Sequence, residues 1–132
     1  MRVPYSELKW PSAPVLQFRL TPPQESAFTE TIIALVDTGA DFTLIPQDIL
    51  LKINAPEMRW AYIRGLWGEQ HPVTLYLVDF HVDNIVLPGI EVAGIERSYT
   101  EFDEDNEAIL GRNILNKLTL LLDGPHSQTE IL

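Results

Sequence analysis

The sequence predicts a mainly β protein built as one domain. Three observations carry that reading. Apolar residues fall in short alternating or continuous runs rich in Val, Ile and Leu, separated by Pro, Gly, Asn and Asp. Helical apolar spacing occurs only in brief stretches. The chain has 132 residues, enough for one buried core and short for two. Hydrophobic residues make up 45% and charged residues 21%, so a chain disordered throughout is excluded. Nineteen acids against nine bases give a net charge of -10, which repels phosphate backbones, and no nucleic-acid partner is expected. Absence of cysteine excludes disulfides, thiolate zinc sites, iron–sulfur clusters and a thiol nucleophile. No apolar run approaches the roughly 20 residues needed to cross a bilayer, and the first ten residues lack a signal-peptide core. The expectation is a cytoplasmic protein with no membrane partner.

The elements follow in order. Residues 1–14 contain Pro4, Pro11 and Pro14 and predict an extended N-terminal arm, with 15–132 as the single domain. Tyr5 and Trp10 are candidates to anchor that arm. Residues 15–20 alternate, placing Leu16, Phe18 and Leu20 on one face. Residues 29–36 end in Ile32-Ile33-Ala34-Leu35-Val36, a run that predicts a strand buried on both faces. A short strand at 43–45 precedes Pro46, which can open a helix to about residue 53. Residues 61–66 and 73–80 read as the arms of a hairpin. Residues 85–87 and 90–93 flank Pro88-Gly89, read as a turn. Residues 112–118 fit a short helix and 119–122 a strand. Asp123-Gly124-Pro125 turns the chain, and 129–132 can form a last strand. The acidic run from Glu101 to Glu107 holds five carboxylates in seven residues and lacks the glycine-containing loop of an EF-hand, so it reads as a solvated loop. His71, His81 and His126 share no metal-ligand spacing.

Chemistry concentrates at Asp37-Thr38-Gly39-Ala40-Asp41. An apolar strand runs directly into a carboxylate, which requires hydrogen-bond partners if it is buried. Thr38 and the Gly39 backbone can supply them in a tight turn. Alone, the tripeptide is equally consistent with a strand-ending turn. Further along, Ala108-Ile109-Leu110-Gly111-Arg112-Asn113 places two apolar residues, a glycine and Arg-Asn before a helical stretch. Between the two segments lies Ile63-Arg64-Gly65-Leu66-Trp67-Gly68, a Gly-containing hairpin tip.

These three segments, in this order, resemble the signatures of retroviral-type aspartic proteases, the retropepsins, over nearly the whole chain except the arm and tail. The resemblance implies a closed β-barrel acid-protease half with a flap hairpin and one short C-terminal helix, assembled as a two-fold homodimer. It implies a peptide or protein substrate and no cofactor or metal. Asp37 is then the catalytic carboxylate. One Asp-Thr-Gly occurs per chain, so the dyad takes Asp37 from each of two chains. Two carboxylates in close contact cannot both ionise and titrate as a pair. Thr38 and Gly39 complete the catalytic turn, with Thr38 hydrogen-bonding across the dimer. Gly39, Ala40, Asp41, Ile63, Arg64, Gly65, Leu66, Trp67 and Leu110 are the expected substrate contacts. Thr38, Arg112 and Asp41 hold the dimer, with an Asp41–Arg112 pair expected at the interface. Arg64 and Trp67 stand where the family usually has glycine, which implies a different turn at the flap tip. The tail beyond Leu122 is longer than in compact viral enzymes, and Asp123-Gly124-Pro125 interrupts the path by which their termini interleave. The interface sheet is therefore expected to differ, using residues 129–132 or the arm.

The favoured function is a homodimeric aspartic endopeptidase. The alternative is a catalytically weak or inactive peptide-binding or assembly dimer of the same fold. A cation-dependent protein using Asp103, Asp105 and Glu107 is a distant third reading.

Overall fold

The computed structural model of the chain describes residues 1–65, 67–96 and 108–132. The acidic run and Leu66 lie outside the described residues. In order, the chain forms β1 (Arg2–Pro4), β2 (Val15–Thr21), β3 (Ile32–Val36), β4 (Leu44–Pro46), α1 (Gln47–Lys52), β5 (Glu57–Arg64), β6 (Gln70–Val82), β7 (Ile85–Ile95), β8 (Ala108–Leu110), α2 (Arg112–Leu115), β9 (Leu120–Asp123) and β10 (Gln128–Ile131). The main sheet runs β2-β3-β8-β4-β7-β6-β5, and β2 pairs again with β6. That extra pairing closes six strands into a barrel and leaves β5 outside as the free arm of a hairpin. The closed barrel, the projecting hairpin and the short late helix are the architecture expected from the sequence. Neither helix is long and apolar enough to cross a membrane.

Period-2 alternation fills the barrel. Leu16, Phe18 and Leu20 all point inward, and the Phe18 and Phe80 rings sit 4.7 Å apart. Tyr76, Val78, Val92, Leu110 and Ile114 complete the main core. A second apolar cluster forms around Val73, Leu75, Ala93 and Ile95, with Phe42, Leu44, Ala61 and Ile63 packed against it. It lies on the opposite face of the sheet and supports the hairpin.

Several expectations are corrected. β3 is buried on one face only: Ile32 and Ala34 face the core, while Ile33 is 38% exposed and Leu35 is half-buried. Pro88-Gly89 is not a turn, because β7 runs continuously through it. Gly89, at φ 64°, accommodates the register shift opposite Val78 and Phe80, and its N–H donates to Asp79 Oδ1 at 2.9 Å. The connection between β6 and β7 falls instead at Asp83-Asn84, with Asp83 at φ 51°. The helix after Gly111 is regular only over Arg112–Leu115, although turn hydrogen bonds continue to Leu118.

The N-terminal segment is tied to the C-terminus. β1 pairs antiparallel with β10, β10 pairs with β9, and Val3 is 2% exposed. Tyr5 is half-buried and donates its N–H to Ser127 O at 2.8 Å, whereas Trp10 is 96% exposed. The two termini therefore form a three-stranded sheet within one chain rather than leaving free strands to interleave with a partner.

Candidate active site

Parallel pairing of β3 with β8 brings the two sequence signatures together. Leu35 lies beside Ile109 and Val36 beside Leu110, and the Asp37 N–H extends the ladder to Leu110 O at 3.0 Å. Asp37 is thus the first residue past the strand, half-buried at the barrel rim. The chain then turns tightly. Ala40 N–H reaches Asp37 O at 3.2 Å, and Gly39 N–H donates to Asp37 Oδ1 at 2.9 Å. A Cβ on Gly39 would stand 3.1 Å from that same oxygen, so glycine permits the close approach. The result is a fixed carboxylate with one oxygen held by a backbone donor and Thr38 exposed beside it.

Gly111-Arg112-Asn113 clamps this loop from behind. Arg112 N–H donates to Ala40 O at 2.8 Å, and a Cβ on Gly111 would collide with the Phe42 carbonyl. The Arg112 guanidinium donates to Thr38 O at 2.8 Å and forms an ion pair with Asp41. The Asp41–Arg112 pair named from the sequence forms within one chain. Both side chains are well exposed, at 44% and 76%, so the pair contributes little to stability and acts by fixing loop geometry.

Two residues that sequence reasoning missed hold the clamp. Asn113 Oδ1 accepts from both Thr43 N–H and Thr43 Oγ1 at 2.9 Å, and Asn113 Nδ2 donates to Glu91 O at 2.8 Å. Thr43 Oγ1 in turn accepts the Gly111 N–H at 3.0 Å. Thr43 is fully buried, so this network links β4, β7 and the two loops in a dry setting. The available signal was the Asn of the second motif and the Thr two positions past Asp41.

The register also assigns the floor. Leu35 pairs with Ile109, Ile109 with Leu44, and Leu44 with Ala93. Directly paired residues share a face, and Asp37 follows Leu35 by two, so the carboxylate rises from this apolar row. Leu110 does not contribute. It is fully buried in the barrel core, and the half-buried Ile109 takes the outward face expected of it.

On the hairpin, Ile63 pairs with His71 and packs on the second cluster, with Ala61 beside it on the same face. Alternation turns Arg64 to the opposite face with Trp60 and Tyr62, which are 74% and 62% exposed. Arg64, an expected substrate contact, is exposed at the end of β5 and pairs with Gln70. At the tip, Gly65 N–H donates to Glu69 O at 2.9 Å, Trp67 N–H donates to the Glu69 carboxylate at 3.0 Å, and Gly68 takes φ 83°. Glu69 packs where a Gly65 side chain would stand. Trp67 is 89% exposed. A cavity of about 510 Å³ opens beneath the hairpin, lined by Ile63, His71, Val73, Ile95 and Glu96 among others. Leu66, an expected substrate contact, lies outside the described residues.

Neither a protein-family model nor a curated protein sequence matches the chain. Among solved structures it is similar to the retroviral protease-like domain of Ddi1 from Leishmania major, at 16% identity and a TM-score of 0.49, covering 89% of this chain and 87% of that one.

Proposed function

We propose that the protein is a homodimeric aspartic endopeptidase. The observation that carries this is the Asp37 turn: a half-buried carboxylate at the end of β3, held by the Gly39 N–H and braced through Arg112 by the second motif. One such turn per chain supplies one carboxylate, so a working dyad takes two chains. In that dyad the ionised Asp37 removes a proton from water as the hydroxyl attacks the scissile carbonyl. The protonated partner Asp37 donates to the carbonyl oxygen. The tetrahedral diol then collapses: the Asp37 that took the water proton gives it to the leaving nitrogen as the C–N bond breaks, the partner Asp37 takes a proton back from a diol hydroxyl, and no acyl-enzyme forms.

The substrate is an extended peptide laid along the row of Leu35, Leu44 and Ile109 and covered by the hairpin through Ile63. Asp41, Gly39 and Ala40 offer polar backbone and carboxylate contacts, and Gly65 and Trp67 meet substrate from the flap tip. The composition, with no cysteine, suits a cytoplasmic setting. Since two chains each carry -10 and acid relieves their repulsion, activity is expected to be greatest at roughly pH 4 to 6. The test is cleavage of a mixed peptide library across pH, with Asp37→Asn beside the wild type. Cutting at acidic pH that the variant loses supports the proposal. A wild type that binds peptides and cuts none overturns it in favour of the peptide-binding dimer.

A further inference from the structure

We infer that two copies of the chain join edge to edge through β9, fusing two three-stranded terminal sheets into one six-stranded sheet. The inference rests on the homodimeric reading of the Asp37 site and says how that dimer is built.

Among the described residues, the backbone of the terminal sheet shows which groups have no strand partner. Leu132 N–H donates to Thr119 O at 3.0 Å, while Ile131 N–H donates to Met1 O at 2.9 Å and Tyr5 N–H to Ser127 O at 2.8 Å. In antiparallel strands hydrogen-bonded and non-bonded pairs alternate. With Ile131 opposite Leu120, the backbone groups of Leu121 and Asp123 face β10, and those of Leu120 and Leu122 face outward. By the same count the outward positions of β1 are Arg2 and Pro4. That edge is blunted: Pro4 has no N–H to offer, and Arg2 carries a charge paired with Glu130 at 3.5 Å. The β9 edge has neither defence. Its sequence is Leu120-Leu121-Leu122, with Leu121 45% and Leu122 50% exposed.

Side-chain faces point the same way. Val3, Thr129 and Leu122 are in register on the core-facing side of the sheet, yet Val3 and Thr129 are buried and Leu122 is not. The sheet overhangs the barrel at β9. A two-fold axis through Leu121 pairs Leu120 with the opposing copy of Leu122 and sets Leu121 against itself. All four outward N–H groups of the dimer then find carbonyls, and the leucines of both faces are covered. This register also sets Asp123 against Thr119, so no carboxylates face each other in a chain of charge -10. β9 is short-coupled to the catalytic loop, since Arg112 binds Thr38 O and successive turn hydrogen bonds run from Gly111 to Leu118.

Because the chain has no cysteine, single substitutions give an unambiguous cross-linking test. Under mild oxidation, Leu121→Cys should form a disulfide dimer rapidly, because a symmetric non-bonded pair brings its Cβ atoms close. Glu130→Cys, one strand inward, should not. Leu122→Pro removes one outward donor per chain at a position that makes no bond to β10. It should weaken dimerisation about thirtyfold in sedimentation equilibrium while the urea midpoint of the monomer stays near wild type. Equal cross-linking at the two sites, a dimer indifferent to Leu122→Pro, or a chain monomeric at all concentrations overturns the inference. Cleavage measured in parallel separates the two readings: an active dimer that ignores β9 sinks this inference alone. A β9 dimer that cuts nothing sinks the protease and leaves the inference standing.

Discussion

Replacing Asn113 with Ala removes three hydrogen bonds at once from the support of the Asp37 loop. Two come from Thr43, through its N–H and its hydroxyl, and one goes to Glu91 O. Thr43 is fully buried, so its N–H is left without water to replace Asn113. A typical bond contributes about 1 kcal/mol net, and an orphaned buried donor costs about 1–3 kcal/mol. Counting one orphaned donor and two ordinary losses gives about 3–5 kcal/mol, a large part of the stability of a domain this size. Urea unfolding of Asn113→Ala and of Thr43→Val, with the double variant, measures it. The two sites share bonds, so the cycle should show a coupling of about 1 kcal/mol or more. A loss below about 1 kcal/mol for Asn113→Ala, or strict additivity, refutes the claim that this network holds the loop.

Other outcomes follow from particular contacts. Gly94→Ala places a Cβ against the buried Tyr76 ring, 2.5 Å from Cε1, and should lower stability by about 1–3 kcal/mol in thermal or urea unfolding. Asp79 is 8% exposed and accepts the N–H groups of Gln24 and Gly89 at 2.9 Å, so Asp79→Ala should cost about 2–4 kcal/mol and raise hydrogen exchange at Gly89. The hydrogen bond from His126 holds the Asp123 carboxyl below its usual range. A lowered carboxylate value means that its contribution is present above the unfolded value and is lost as pH falls through the folded one. In NMR titration, His126→Ala should move the Asp123 midpoint upward, and an unchanged midpoint would exclude that cause.

Much of the barrel was legible because its signals are local. Leu16, Phe18 and Leu20 alternate, and Pro46 marks the junction where β4 ends and α1 begins, standing as the helix N-cap. Asp37 and Arg112 were legible as motifs, although what joins them is the parallel β3–β8 pairing, a non-local contact. The misses share a cause. Gly89 signals a positive φ, but a turn and a bulge both need one, and only Asp79 on the neighbouring strand decides between them. Leu110 and Ile109 are both apolar, and the register with β3 chooses which faces outward. Thr43 and Asn113 look unremarkable until the loops meet.

The central claim is that one active site is assembled from two Asp37 residues. Mixing wild type with Asp37→Asn at fixed total chain concentration tests it directly. Mixed pairs carry one carboxylate and should be inactive, so an equal mixture should keep about a quarter of the wild-type cleavage rate. A mixture that keeps about half, in proportion to the wild-type chains present, would mean that each chain works alone and would contradict the account.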